Sequence, residues 1–315
     1  MKTRRWNGLL ALGLLAGLAS GCDTGTDPIE PRTFDAEAAL EDYAAMDSVL
    51  ASSGMQGLRA LGATSSLDAY GPEIGMVLAL VDMRSPRGAQ GSHAFVRRMT
   101  AMAAALEPGA VRSPVISPFS RGTTYVYDPA LGRYAPDPDR TDAPTTGVRF
   151  VLYAPGLGGK PDVDRVIGHA DLIDEGDGSA EDLALRLVVV EEERTVLDYR
   201  TTVDALDDGG SITVEGFVRG KYDQLDFDLD VHGKDDGGLS TVAITFDIWM
   251  DTRDFRIAGS VNGLEEGSEG SGDVDITVSH GDESLRVDVT GSDQSLDGTF
   301  YLNGGVFATV SGDPD

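Results

Sequence analysis

The sequence predicts an α+β protein that is mostly β, with N-terminal helices packed on a large, curved, antiparallel up-and-down β-meander, half-barrel or barrel-like in shape. Three observations predict it. Apolar residues recur at helical spacing in the first third of the chain, they alternate with polar residues from about residue 112 onward, and acidic, glycine-rich turns follow at regular intervals in that second part. We therefore divide the chain beyond residue 33 into a helical region, 34–109, and an antiparallel β domain, 110–315.

The helical region is expected to begin with a helix over residues 34–62. Asp35 can cap its N-terminus, and a break at Ser53-Gly54 precedes a short second helix from Met55 to Leu61. Helical spacing in the first helix relates Leu40, Tyr43, Met46, Val49 and Leu50. Residues 74–83 form an apolar run that fits a helix or a buried strand, and we favour the helix. Residues 93–106 predict a further amphipathic helix.

The strand prediction rests on alternation and on turn spacing. Apolar residues at 225, 227, 229 and 231 face one way and the residues between them face the other, and segments 242–250, 274–278 and 285–289 repeat the pattern. Turn signals centre near residues 177, 193, 208, 220, 236, 252, 268, 281, 293 and 304, and the gaps leave no room for a crossover helix. About eleven strands should therefore pair in sequence order, and a hairpin at 123–134 and a strand at 148–153 could extend the sheet.

Alternate turns of a meander lie on the same edge, and these two sets of turns differ in charge. The turns near 177, 208, 236 and 268 are rich in acid and glycine, whereas those near 193, 220, 252 and 281 mix both signs. Carboxylates on flexible loops are ligands that calcium prefers. The candidate calcium ligands are Asp207, Asp208, Asp235, Asp236, Glu265 and Glu266. No loop matches the D-x-[DN]-x-[DN]-G pattern, so solvated hairpin ends are the competing interpretation.

The width of the predicted sheet raises the question of what covers its apolar face. Eleven strands span roughly 50 Å, and two or three helices of about 10 Å diameter cannot cover that width if the sheet is flat. We expect the sheet to curl, with Gly216 and Gly259 at bends, or to leave a groove. If helices fill the concave side of the curved sheet completely, its apolar face is part of the hydrophobic core. If they fill it only in part, a lipid-sized cavity remains between helices and sheet.

The N-terminus has the pattern of an export signal. Lys2, Arg4 and Arg5 precede an apolar run at 9–18, and small residues at 19–21 precede Cys22. This run resembles the lipobox of bacterial lipoproteins, and the resemblance implies cleavage before Cys22 and acylation of Cys22 by chains such as palmitate. Residues 1–21 would then be the signal peptide and 22–33 a lipidated tether. Cys22 is the only cysteine in the chain, which fits this role, although an ordinary secretory signal is the alternative.

Charge and motifs narrow the function classes. Removing the three basic residues of the signal changes the formal charge from −28 to about −31, which argues against nucleic acid and against anionic lipid as surface partners. The four histidines are dispersed and no G-x-S-x-G or HExxH motif occurs, so no catalytic constellation is visible. We expect a non-enzymatic binding or structural protein, anchored through Cys22 to the periplasmic or surface face of an envelope membrane, with an apolar ligand or an envelope protein as partner. The alternative is a carrier of lipid with a cavity between helices and sheet, and no cofactor is expected apart from calcium.

Overall fold

The computed structural model describes residues 34–57, 116–176, 182–206, 209–236, 239–266, 269–292 and 295–312. Within these ranges the helix α1 (Ala36–Leu50) precedes fourteen strands. The strands are β1 (Thr123–Asp128), β2 (Arg133–Pro136), β3 (Gly147–Pro155), β4 (Pro161–Asp174), β5 (Asp182–Glu191), β6 (Arg194–Leu206), β7 (Gly209–Arg219), β8 (Gln224–Asp236), β9 (Leu239–Met250), β10 (Phe255–Glu266), β11 (Glu269–His280), β12 (Glu283–Ser292), β13 (Leu296–Leu302) and β14 (Gly305–Gly312).

The fourteen strands belong to one sheet, in the order β14 to β3 followed by β1 and β2. From β3 to β14 each strand pairs antiparallel with the next, which confirms a mostly β protein built on an up-and-down meander. Two features differ from the expectation. β1 pairs with β3 in parallel, so the sheet is mixed, because the loop after β2 returns the chain to the far side of β1. β2 and β14 are separate edges, so these strands form an open sheet and not a closed barrel.

The links between strands alternate between the two ends of the sheet, as a meander requires. Links at residues 192–193, 220–223, 251–254, 281–282 and 303–304 lie at one end, which we name the tight rim. The links that follow β4, β6, β8, β10 and β12 lie at the other end, which we name the acidic rim. Every turn centre predicted from the sequence falls in or beside one of these links. The spacing of acid and glycine therefore predicts the strand order correctly from β4 to β14.

Helix α1 begins as the sequence predicts. Asp35 is the N-cap, and its carboxylate accepts a hydrogen bond from the Ala38 N–H at 2.9 Å. Of the residues at helical spacing, Val49 is buried, whereas Leu40 and Tyr43 are exposed. The apolar contact of the helix with the sheet is thus concentrated in its last turns.

The helix predicted over residues 34–62 ends at Leu50, and the break lies at Ala51-Ser52 and not at Ser53-Gly54. The chain is helical again at residues 53–57, which agrees with a second short helix in this segment. The N–H of Gln56 donates to the carbonyl of Ser52, so Ser53 and Gly54 belong to the first turn of that helix. The predictions for residues 58–62, 74–83 and 93–106 fall outside the described residues. In the described part of the chain, no helix combines the length and the apolar character that crossing a membrane takes.

Residues 34–57 cross the tight rim from β12 to β4. The N–H of Asp35 donates to Glu283 at the start of β12, at 2.6 Å. The N–H of Gly54 donates to Glu191 at the end of β5, at 3.2 Å. At Gly57, an added Cβ would lie 2.7 Å from the side chain of Ile167 in β4. This segment therefore lies along one end of the sheet and contacts strands from β12 to β4 there.

The buried core lies in the first part of the sheet. β3 is buried on both faces, and the ring of Tyr125 in β1 stacks on Phe150 in β3 with 5.3 Å between centroids. β7 and β8 bury apolar side chains on one face only: Ile212, Val214, Val218, Leu225, Leu229 and Val231. Full burial of such a side chain stabilises the fold by about 1.5–3 kcal/mol. These strands therefore supply much of the free energy that holds the sheet together.

Gly216 and Gly259, where the sequence predicts bends, are points of close approach. An added Cβ at Gly216 would lie 2.3 Å from the carbonyl oxygen of Asp198 and 2.4 Å from the Cβ of Tyr199. Across Gly216, the rings of Tyr199 in β6 and Phe227 in β8 come within 6.2 Å of each other. Because the obstacles are backbone and Cβ atoms, any side chain at this position must displace a strand.

We predict that Gly216→Ala lowers the free energy of unfolding by roughly 1–3 kcal/mol, because the added methyl group overpacks the β6–β7 contact. Chemical denaturation followed by circular dichroism measures the effect. Gly263→Ala in β10 is the matched control, since an added Cβ there has no heavy atom within 4 Å. The control should stay within about 1 kcal/mol of the wild type. Equal losses in the two variants would contradict the close approach at Gly216.

Candidate functional site

The apolar pattern of the core continues past β8 without interruption. One cross-strand row begins at Leu229 in β8 and runs, strand by strand, through Phe246, Gly259, Ile276, Val287 and Phe300 to Ala308 in β14. Leu229 is buried, Ile276 and Val287 are half-buried, and most of β14 is exposed. We name the apolar face of β10–β13, centred on Ile276 and Val287, the apolar strip.

Among the described residues, the exposure of β11 and β12 gives no sign of a second layer over the centre of the apolar strip. In a two-layer sheet, alternate side chains differ strongly in exposure, because one set lies beneath the second layer. In β11, however, Val274 and Ile276 fall in the same half-buried range as Asp275 and Thr277 on the other face. In β12, the side chains of residues 283–289 are likewise half-buried on both faces. Among the described residues, these side chains are therefore covered chiefly by their cross-strand neighbours.

Helix α1 is fixed to the tight rim by a polar cluster around Asp42. Its Oδ2 lies 2.6 Å from Nδ1 of His280 at the end of β11, and its Oδ1 accepts from Nη1 of Arg253 at 3.2 Å. Arg253 also donates to both carboxylate oxygens of Asp223, at 3.2 and 3.1 Å. The side chain of Asp42 is 6 % exposed, against 34 % for Arg253 and 31 % for His280. A buried carboxylate needs such donors to offset its lost hydration, so the cluster determines where the helix docks.

Sequence reasoning missed this cluster. Asp42 is separated from Arg253 by 211 residues and from His280 by 238. No spacing rule relates residues so far apart, and Asp42 is one of many acidic residues in the chain. The mixed charge of the tight-rim turns was the one available signal. A basic residue in such a turn can form an ion pair with a carboxylate from a distant part of the chain.

The polar face of the sheet is organised by two-point ion pairs between neighbouring strands. Arg286 in β12 donates to both oxygens of Asp275 in β11, at 2.8 and 2.7 Å. The other pairs of this kind are Arg149–Asp171, Arg186–Asp198 and Arg256–Asp247. Exposed ion pairs contribute little to stability, in the range of about 0–1 kcal/mol. Their planar two-point geometry does favour a single register, and they neutralise part of the acidic charge.

Asp228 has no such arginine partner. It lies between Glu215 in β7 and Asp247 in β9, with Asp230 two residues along the same face. Burial raises the pKa of Asp228, and the charges of Asp230, Glu215 and Asp247 raise it further. Additional negative charge on this part of the polar face would therefore be unfavourable.

The predicted calcium ligands fall at the acidic rim so far as the structure describes them. Asp207 and Asp208 lie outside the described residues. Asp235 and Asp236 are the last residues of β8, and the remaining two candidates are the last residues of β10. Among the described residues, no three His, Cys, Asp or Glu side chains form a group that could hold a metal ion.

The register brings two of those strand ends together. Leu239 at the start of β9 pairs with Asp236 on one side and with Glu266 on the other. The backbones at Asp236 and Glu266 are therefore two strand spacings apart, or about 9–10 Å. The structure confirms that these residues share one rim, and calcium binding at the rim stays a prediction.

No family, curated protein or solved structure matches this chain. Function therefore has to be argued from the chain itself. In the described part of the chain, two features stand out: a half-buried apolar strip towards the β14 edge of the sheet and a helix fixed across the tight rim.

Proposed function

We propose that this chain is a lipid-anchored, non-enzymatic protein of the bacterial cell envelope, which binds an apolar ligand or partner on the apolar strip. The observation that supports this most is that the apolar face continues beyond the part of the sheet that is covered. Val231 in β8 is 1 % exposed, whereas Ile276 and Val287, on the same face, are half-buried. A contiguous apolar patch of a few hundred Å² that stays open to water is often a binding site.

The size of the apolar strip suits a small apolar molecule or a protein contact. Four strands at about 4.8 Å and three apolar rows about 7 Å apart give an area on the order of 300 Å². That is close to the largest apolar patch on a typical monomer, and such patches are often functional. The alternative function is that of a lipid carrier. In that case the sheet curves, and the apolar strip forms one wall of a lipid-sized cavity between the sheet and the helices.

The membrane part of the proposal rests on the lipobox-like run that ends at Cys22. Two or more acyl chains anchor a protein stably, whereas one chain alone binds only marginally. The chain from Cys22 to Asp35 can span at most about 45 Å. Asp35 is held at the start of β12 by its hydrogen bond to Glu283. An anchor at Cys22 would therefore lie within about 45 Å of the point where Asp35 meets the tight rim.

We predict that the chain from residue 23 onward binds the neutral dye Nile red through the apolar strip. Replacing Ile276 and Val287 together by Thr should weaken binding about 5- to 30-fold, because each change removes apolar contact from the centre of the strip. Fluorescence titration measures the affinity, and circular dichroism checks that the strands persist.

The matched control replaces Val163 and Val166 of β4 by Thr, since these valines are 39 % and 58 % exposed and lie outside the apolar strip. Its affinity should equal that of the wild type. Absence of dye binding by the wild type, or equal binding by both double variants, would argue against the strip as a binding surface.

A separate prediction concerns the anchor. In a bacterial host fed an alkyne analogue of palmitate, the full chain should incorporate the label, and Cys22→Ala should abolish it because the acceptor thiol is lost. Ser20→Ala keeps a small residue before the cleavage point and should be labelled like the wild type. The lipoprotein proposal fails if the Cys22→Ala chain is labelled or if the wild type is not.

A further inference from the structure

The two edges of the sheet are chemically different. β2 has only four residues, begins with Arg133 and ends with Pro136, and short, charged or proline-containing strands are the usual means of protecting an edge. β14 has eight residues and contains neither a charged residue nor a proline. Its outer side pairs with no other strand of the described sheet. An edge of this composition is a template for pairing with another chain.

β14 also exposes apolar side chains. Val306, Phe307 and Val310 are 64 %, 48 % and 42 % exposed. A register shift opposite Phe300 and Tyr301 leaves Phe307 without a direct partner in β13. The edge therefore offers unpaired backbone groups together with apolar contacts.

The charge distribution indicates which partner fits this edge. Residues 298–312 contain no Asp, Glu, Lys or Arg, although charged residues make up 25 % of a chain with a net charge of −28. Copies of such a chain repel one another over most of their surface. Along β14, two copies can approach without bringing carboxylates together. A neutral, partly apolar strand is what this edge would recognise, and β14 is itself such a strand.

We propose that β14 pairs antiparallel with β14 of a second copy, so that two sheets join edge to edge in a twofold-symmetric dimer. A twofold axis through Thr309, perpendicular to the sheet, sets Thr309 opposite its own copy and Ala308 opposite Val310. Ala308 pairs with Phe300, and Val310 with Gly298, on the apolar face. The dimer therefore joins the apolar strips of both copies into one continuous face. This symmetric contact closes on itself and does not propagate into a fibre.

The test is the association state of the full chain in a density-matched detergent, measured by sedimentation velocity. The wild type should be a dimer at micromolar concentration. Thr309→Lys places two like charges beside each other at the axis and should raise the dimer dissociation constant at least about tenfold. Mixing equal amounts of Thr309→Lys and Thr309→Asp should restore a dimer, because opposite charges then meet.

Two controls separate the edge from other surfaces. Thr290→Lys adds the same charge at an exposed position of β12, a strand with neighbours on both sides, and should remain dimeric. The Ile276→Thr/Val287→Thr variant should also remain dimeric, because the proposal does not require the apolar strip to bind anything.

Three results would overturn the proposal. They are a wild type that stays monomeric at 100 µM, a Thr309→Lys variant that dimerises like the wild type, and a mixture of Thr309→Lys and Thr309→Asp that fails to associate. Loss of the dimer in the apolar-strip variant alone would assign the contact to the face of the sheet and not to its edge.

Discussion

Contact between neighbouring apolar side chains on adjacent strands is the interaction on which the second half of this sheet depends. In β3 to β8, the apolar face is buried, and burial supplies the free energy that keeps strands paired. In β11 and β12, side chains on both faces are half-buried. Cross-strand pairs contribute only about 0.2–1 kcal/mol each. Many such pairs are therefore needed to extend the sheet beyond its covered part, and the row from Leu229 to Ala308 supplies them on every strand except β10, where it passes through Gly259.

The other features support this extension. The two-point ion pairs, such as Arg286–Asp275, favour one register where no second layer of the described residues selects it. Helix α1 ties the covered part to the half-buried strands, because Asp42 contacts both Arg253 beside β10 and His280 at the end of β11. Residues 34–57 thus connect the ends of several strands along the tight rim.

Much of the sheet could be predicted from the sequence, for a physical reason. Alternation such as Leu225-Asp226-Phe227-Asp228 specifies which face is apolar, and short acid-glycine links permit only antiparallel neighbours. The parallel β1–β3 pair could not be predicted, since a loop after β2 can return on either side. The sequence also could not show that Ile276 is less covered than Leu229, because coverage depends on what packs above a strand. The contacts of Asp42 were hidden by chain separation, as no local pattern relates it to His280.

Cysteine labelling of the native full chain with a small maleimide, with the wild type as background, tests most directly whether the apolar face of β11 is as open as it is among the described residues. On β7, Glu215→Cys should react at least about a hundred times faster than Val214→Cys, because Val214 is buried and Glu215 is exposed. On β11, Ile276→Cys and Thr277→Cys should react at rates within a few-fold of each other. An Ile276→Cys chain as unreactive as Val214→Cys would show a covered face and contradict the account.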